Sequence, residues 1–430
     1  MKTSLKMLAV AAFVASQTAF ACSNVFVAGD NNIAAVGRTM DLEFNTGNTF
    51  GYGALGQENV SNLNMPIKGK PNPIKWTNKY AFMGQTAFKT NLIVDGVNTA
   101  GLYAAYLDLP GATVYPNNQN VDSAKPELAV TDVTNYILGT SSSVIDALSK
   151  LKKVQFVQSA IVVKTPKGPM FGSDAVHVIL RDKGGNSAVI EWLKGKNGQS
   201  EAHFYLHVAG SDQVVETVQN SNKIAHIYKN TQGAVLTNAP TYGWQLKHAA
   251  KFDHLYNGNS NKKVDGYYMN GSGMSGLPGD WTPPSRFTRA TQLVKNMPKP
   301  TSEKEALFLA NQALQTMAVP IGGNPATSIW ASMVDLKNST YYFRPIIFVK
   351  NDLKKNTMLV TFKGIQVTWQ KFDLQKIAKI NQTPKGWLTI QSKQGIMVPK
   401  NQLGKIQAMI KTPTPGMSRI QEKFMSEGDS

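Results

Sequence analysis

A single cysteine, Cys22, restricts how these 430 residues can be held together, because one thiol permits no disulfide within the chain. Stability must therefore come from a buried core. With 42% hydrophobic residues, this length can build one large domain or two medium ones. The position of the thiol adds a second constraint. Lys2 and Lys6 precede an apolar run from Met7 to Val14 and a small-residue site at Ala19-Phe20-Ala21. That is the pattern of a secretory signal peptide, and its removal makes Cys22 the first residue. Exported chains usually spend their cysteines on disulfides, so an unpaired thiol at this position requires a chemical reason.

One reason lies in the residue itself. At a mature N-terminus the thiol sits beside its own α-amine, whose ordinary pKa of about 7.7–8.0 lets it take the thiol proton during attack and return it to a leaving amine. The alternative is a lipoprotein, in which the sulfur is lipidated and the amine acylated, leaving an anchored envelope protein. Ala19 and Phe20 argue against it, since such a site places a leucine-like residue three before the cysteine and a small one two before. The expected location is the periplasm or the exterior.

Charge narrows the partners. The chain carries 45 Lys and Arg against 27 Asp and Glu, and losing Lys2 and Lys6 leaves a formal charge of +16. A basic surface suits carboxylate-bearing small molecules or an anionic envelope. Nucleic acid is disfavoured because the charge is spread along the chain without a recognisable binding motif. After residue 21 no segment is long and apolar enough to insert stably in a membrane.

Alternation and turn residues predict a hairpin from Asn24 to Ala28 and Ile33 to Val36 around Gly29-Asp30-Asn31-Asn32. Further strands are expected at Tyr80 to Gly84, Asn91 to Val94 and Leu102 to Leu107, with Asp95-Gly96 as the turn between the last two. Helical spacing appears between Glu127 and Lys153, with Ser141-Ser142-Ser143 as a cap. A second hairpin, Val176 to Leu180 and Ala188 to Leu193, turns at Lys183-Gly184-Gly185-Asn186. Helices follow at Thr288 to Lys295 and Ser302 to Met317, then strands at Ile329 to Val334 and Tyr341 to Phe343. Strands and helices in alternating blocks indicate an α+β layered fold.

Three patterns are weaker. Gly271-Ser272-Gly273-Met274-Ser275-Gly276 has the form of a dinucleotide fingerprint, but Pro278, Pro283 and Pro284 argue against a following helix. His203 and His207 share a strand face without completing a metal site. Phe44, Phe50, Tyr52, Trp76 and Phe82 form either an apolar acyl pocket or ordinary core.

Gly37-Arg38-Thr39-Met40-Asp41 places an arginine sixteen and an aspartate nineteen residues after the cysteine. Asp95-Gly96-Val97-Asn98 with Gly101-Leu102, Leu236-Thr237-Asn238-Ala239-Pro240-Thr241, and Gly276 through Phe287 follow in order. These four motifs together resemble the choloylglycine hydrolase family of bile salt hydrolases and penicillin V acylases.

The resemblance implies the four-layer αββα sandwich of N-terminal-nucleophile hydrolases, with a catalytic domain over 22–376 and a polar C-terminal extension over 377–430. It implies Cys22 as nucleophile, Arg38 beside the thiol, Asp41 hydrogen-bonding around the amine, Asn238 donating to the oxyanion and Arg286 organising the charges. Asp108 stands where the family often carries Asn or Tyr, leaving its backbone N–H as the oxyanion donor. A guanidinium near the sulfur is expected to favour thiolate. The segment from Glu201 to Lys223 reads as an insertion. The activity implied is hydrolysis of linear amides, of the penicillin V or acyl-homoserine lactone type, with conjugated bile salts as the alternative. No metal or organic cofactor is implied, and a homotetramer is the family's common assembly.

Overall fold

The computed structural model describes residues 22–42, 49–86, 90–118, 124–165, 168–172, 175–219, 221, 223–255, 263–264, 267–268, 273–324, 326–346, 348–352, 357–361, 369–380 and 388–390. Residues 1–21, expected above to be a signal peptide, Phe44, Gly271, Ser272 and 391–430 lie outside them.

Two antiparallel sheets carry the architecture. In the six-stranded sheet the order is Val235–Leu236, β1 (Ser23–Ala28), β2 (Ala34–Leu42), Thr327–Asp335, Thr340–Pro345 and Gln370–Asp373. The ten-stranded sheet runs from the edge strand Ile224–Lys229 through Gln213–Val218, Ser200–His207, Ser187–Lys194, Val176–Asp182, Leu102–Asp108, Ile93–Asn98, Phe82–Thr86 and Thr49–Gly53 to Leu388–Ile390.

Side-chain alternation sorts the layers, because successive strand residues point to opposite faces. Tyr103, Ala105, Leu107, Ile179 and Val189 join the core shared with the six-stranded sheet. Their neighbours Leu102, Ala104, Tyr106, Val178, Leu180 and Ile190 pack instead with Ile137, Leu138 and Leu148 of helices Val133–Thr140 and Val144–Leu151. Helices Pro283–Asn296 and Glu303–Met317 cover the other face of the six-stranded sheet. A Cβ at Gly37 would meet Leu314 of the latter helix at 3.3 Å and Val25 at 3.1 Å. The order helix, sheet, sheet, helix is the four-layer α+β sandwich.

Several elements differ from the sequence reading in ways that shape the site. β2 continues six residues beyond Val36, so Arg38 and Asp41 lie within a strand. Every residue of it is buried, which masks the alternation that marks a half-exposed strand. The strand Ile93–Asn98 passes straight through Asp95-Gly96, and the turn falls at Thr99 to Gly101, where Gly101 has φ 84°. Asn98 Oδ1 accepts from the N–H groups of Ala100 and Leu102 there. Gly96 serves close packing: a Cβ on it would lie 2.8 Å from Met83 O. Pro283 and Pro284 open a helix instead of preventing one, since the first helical positions need no backbone donor. The segment read as an insertion, Glu201 to Lys223, supplies most of two ordered strands of the large sheet. The expected domain boundary at residue 376 falls inside helix Leu374–Ile380, whose Leu374 and Ile377 are buried.

Candidate active site

Cys22 directly precedes β1, and the hairpin is closed by Asn31 and Asn32 at φ 55° and 61°, a left-handed turn matched to strand twist. Its register sets Ser23 opposite Thr39 and Asn24 opposite Arg38. Arg38 thereby returns to the thiol, with Nη2 4.0 Å from Cys22 Sγ. A bulge between Met40 and Asp41 re-aims the end of β2. Met40 Sδ lies 3.5 Å from Cys22 Sγ, and the Asp41 backbone N–H donates to the same sulfur.

Asn238 arrives from the other side of β1. The short strand Val235–Leu236 pairs with β1, Leu236 opposite Asn24, so the chain leaving it passes Cys22. Asn238 Oδ1 accepts from the Cys22 nitrogen at 2.5 Å and from Arg286 Nη2 at 3.2 Å. Asn238 Nδ2 donates to Asp108 O at 2.9 Å. A guanidinium only donates, so the atom facing Arg286 must be the amide oxygen and the orientation of Asn238 is determined.

Arg286 occupies the first turn of its helix, fully buried, and gathers the other groups. Its Nη1 donates to Cys22 O at 2.9 Å, to Ser23 Oγ at 2.5 Å and to Asp41 Oδ2 at 3.3 Å. Asp41 Oδ1 accepts from Ser328 Oγ. The Cys22 nitrogen is thus held by Asn238, while the Asp41 side chain balances Arg286. Asp108 ends the strand Leu102–Asp108 half-buried; its carbonyl anchors Asn238 and its charge acts on the thiol.

Arg38 is held from the opposing sheet. Its Nη1 donates to Val94 O and its Nη2 to Tyr106 O at 2.6 Å, with Asp95 Oδ1 3.8 Å away and the Trp330 ring 5.4 Å from the guanidinium carbon. Asp95 itself accepts from the hydroxyls of Tyr103, Ser332 and Tyr341. Sequence reasoning missed this buried layer, because Asp95 looked like a turn residue. Its signal was an acid inside an otherwise apolar strand pattern.

Burial pushes the Cys22 thiol up to about 11; Arg38 opposes that most strongly, while the charges of Asp108 and Asp41 add to it. The Arg38 guanidinium favours the thiolate, as expected, against a larger opposing effect of burial. Desolvation outweighs the cation, so the net direction is upward. Burial likewise raises the Asp41 carboxyl to about 6 against the pull of Arg286.

The weaker patterns resolve as structure. His203 Nδ1 pairs with Glu216 at 2.7 Å and His207 Nδ1 with Gln213 O at 3.2 Å. Among the described residues no group of three or more His, Cys, Asp or Glu is placed to hold a metal. Phe50 packs edge-on against Tyr341 and Phe343, Tyr52 and Phe82 are buried in the cores, and Trp76 stacks edge-on to Tyr136. Phe50, Tyr52 and Phe82 are therefore core positions, and Trp76 packs against the second core while only partly buried. Residues 273–276 form a turn with Met274 at φ 51°, not the start of a helix.

The fold is that of the N-terminal-nucleophile hydrolases. The sequence profile of the linear amide C–N hydrolases of the choloylglycine hydrolase family matches residues 22–197 and 196–358, and the chain belongs to that family. It is an enzyme that hydrolyses carbon–nitrogen bonds other than peptide bonds in linear amides. A penicillin V acylase of Pectobacterium atrosepticum is 28% identical over 308 residues, covering 66% of this chain and 68% of that protein. A bile salt hydrolase/transferase of Clostridium perfringens is 24% identical over 336 residues, 75% of this chain and 88% of that protein. The solved penicillin V acylase of Agrobacterium tumefaciens superposes with a TM-score of 0.59 at 22% identity, over 86% of this chain and 91% of that one. Among the described residues no helix is long and apolar enough to cross a membrane.

Proposed function

We propose that this protein is an exported cysteine amidase in which Cys22, freed by removal of residues 1–21, attacks the carbonyl of an N-acyl amide such as penicillin V or an acyl-homoserine lactone. The observation that carries this reading is convergence. Residues 22, 38, 41, 238 and 286 are far apart in sequence, yet all meet at the nitrogen, carbonyl or sulfur of one residue.

With burial working against a free thiolate, the thiol proton is handed to the α-amine as sulfur attacks. Asn238 Oδ1 takes one amine N–H, which fixes the nitrogen and leaves its lone pair for the thiol proton. The carbon–sulfur bond forms as the carbonyl becomes an oxyanion. One of the two Asn238 Nδ2 protons is spent on Asp108 O; the other, with the Asp108 backbone N–H, serves the oxyanion. The amine returns its proton to the leaving nitrogen, the C–N bond breaks, and water activated by the same amine hydrolyses the thioester. Arg286 keeps Asn238 and Asp41 in register, and Arg38 limits the cost of charge on sulfur.

A penicillin V acylase among the relatives favours the first substrate class, and the charge of +16 expected after removal of residues 1–21 suits the carboxylate of penicillin V and equally that of a glycine-conjugated bile salt. Conjugated bile salts, named in the Clostridium perfringens relative, are the second reading. The test is amine release by the mature protein from penicillin V, glycocholate and N-dodecanoyl-homoserine lactone, with Cys22→Ala beside it. Turnover that disappears in Cys22→Ala supports the nucleophile and ranks the substrates. Turnover that survives the substitution overturns the mechanism.

A further inference from the structure

Asn238 lies in a six-residue segment, Thr237 to Tyr242, that leaves the six-stranded sheet and enters helix Tyr242–Ala250. Four of its backbone groups are held by side chains. Gln245 Nε2 donates to Asn238 O and to Pro240 O at 2.8 Å. His177 Nε2 donates to Thr237 O at 2.9 Å, and the Tyr242 N–H donates to Glu191 Oε1 at 2.8 Å. The last two contacts come from the opposing sheet, where His177 and Glu191 stand on paired strands in the register that sets Val178 against Ile190.

His177 and Glu191 also meet each other, Nδ1 to Oε1 at 3.0 Å, and both side chains are wholly buried. A carbonyl only accepts, so Nε2 carries a proton, and one further proton occupies the Nδ1–Oε1 contact. On either atom, the pair is neutral as a unit. Two ionisable side chains in a dry sheet interior are costly unless each is paired, and apolar residues would fill the same space more simply. What apolar residues cannot do is grip a carbonyl at one end of the Asn238 segment and an N–H at the other.

We propose that His177 and Glu191 are positioning residues for Asn238, a buried bridge that sets the reach of its amide to the Cys22 nitrogen. The Thr237 carbonyl belongs to the peptide unit leading directly into Asn238, so rotation of that unit swings Oδ1 away from Cys22. Displacements of about 1 Å in such groups cost as much as roughly 100-fold in rate. The proposal rests on the reading of Asn238 given under Proposed function.

The test uses the mature enzyme and the fastest-turned-over of penicillin V, glycocholate and N-dodecanoyl-homoserine lactone. His177→Phe removes the donor to Thr237 O, whereas His177→Gln keeps an N–H near the Nε2 position. The expected result is a kcat loss of about 10- to 100-fold in His177→Phe, KM within about 3-fold, and recovery to within about 3-fold in His177→Gln. On an Asn238→Ala background His177→Phe should cost no more than about 2-fold further, since both changes act on one group. Equal rates in the Phe and Gln variants, or losses that multiply with Asn238→Ala, would overturn the bridge. If His177→Phe does not fold, His177→Asn, too short to reach Thr237 O, takes its place against His177→Gln with the same criterion.

Crystal structures of the variants read the effect without substrate. Asn238 Oδ1 should stay on the Cys22 nitrogen in His177→Gln and leave it in His177→Phe; an unmoved amide in the Phe variant sinks the proposal. Asn238→Ala at the wild-type rate would instead overturn the underlying reading of Asn238. A damaged Asn238→Ala beside an intact His177→Phe overturns the bridge alone.

Discussion

Arg38 and Arg181 lie in the same buried layer between the two sheets, one on each sheet, and the protein treats them oppositely. Arg38 has Asp95 within 3.8 Å and two backbone carbonyls as acceptors, and the neighbouring charges hold its guanidinium above the usual arginine range. Arg181 donates to Gly233 O and, at 3.5 Å, to Asn24 Oδ1, and lies over the Phe26 ring; burial pulls it down to about 10. No ion pair from Arg181 to an acid occurs among the described residues. One cation is secured beside the Cys22 sulfur, the nucleophile of the proposed mechanism. The other is merely accommodated. Burial alone therefore does not distinguish the two arginines; the acid behind Arg38 does.

The largest break in that comparison is Arg38→Leu. Asp95 keeps three hydroxyl donors, so the fold should survive with a loss of about 3 kcal/mol. The thiol loses its main counterweight and should move above about 11. Iodoacetamide labelling of Cys22 in the mature protein, followed from pH 8 to 11, should shift to higher pH, and kcat should fall by about 100-fold or more. An unshifted labelling profile would mean that Arg38 does not tune the sulfur.

Asp41→Asn tests the second paired arginine through pH. In the fold the Asp41 carboxyl sits near 6, above its ordinary 3.8, so the native state binds that proton more tightly than the unfolded chain. Its stabilising contribution is present below about pH 4 and is lost as pH rises through about 6. A two-unit shift corresponds to at most about 3 kcal/mol. Urea unfolding at pH 4, 5, 6 and 7 should show wild-type stability falling relative to Asp41→Asn across that window, with a plateau above it. Parallel curves would place the Asp41 carboxyl at its ordinary value.

The legibility of the chain follows the same division. Strands such as Leu102–Asp108 and the capped helix Glu303–Met317 were readable because their apolar period and the Ser302 cap are local signals. Cys22, Arg38, Asp41, Asn238 and Arg286 were legible through ordered motifs, which record neighbours that periodicity cannot. β2 was read too short because a strand buried on both faces has no polar side to alternate. Asp95, Tyr103, Ser332 and Tyr341 were not read as one cluster because their meeting depends on the register of two sheets, which no local pattern states. His177 and Glu191 looked like ordinary hairpin positions for the same reason.

The smallest expected effect is also the sharpest test of the contrast. Arg181→Met removes a guanidinium that has no acid partner; Gly233 O still accepts from Ser187 Oγ, and the acceptor left behind, Asn24 Oδ1, loses only a long 3.5 Å contact while Asn24 Nδ2 keeps donating to the Tyr103 hydroxyl. A group whose folded pKa is lowered from 12.5 to about 10 weakens the fold while charged, and the loss is recovered only as pH rises past about 10. At pH 7 the variant should therefore be as stable as wild type or up to about 3 kcal/mol more stable, with kcat within about 3-fold. Thermal melts and amide turnover measure both. A loss on the scale of Arg38→Leu would show that the second cation serves the chemistry after all, and that an acid partner is not what separates the two.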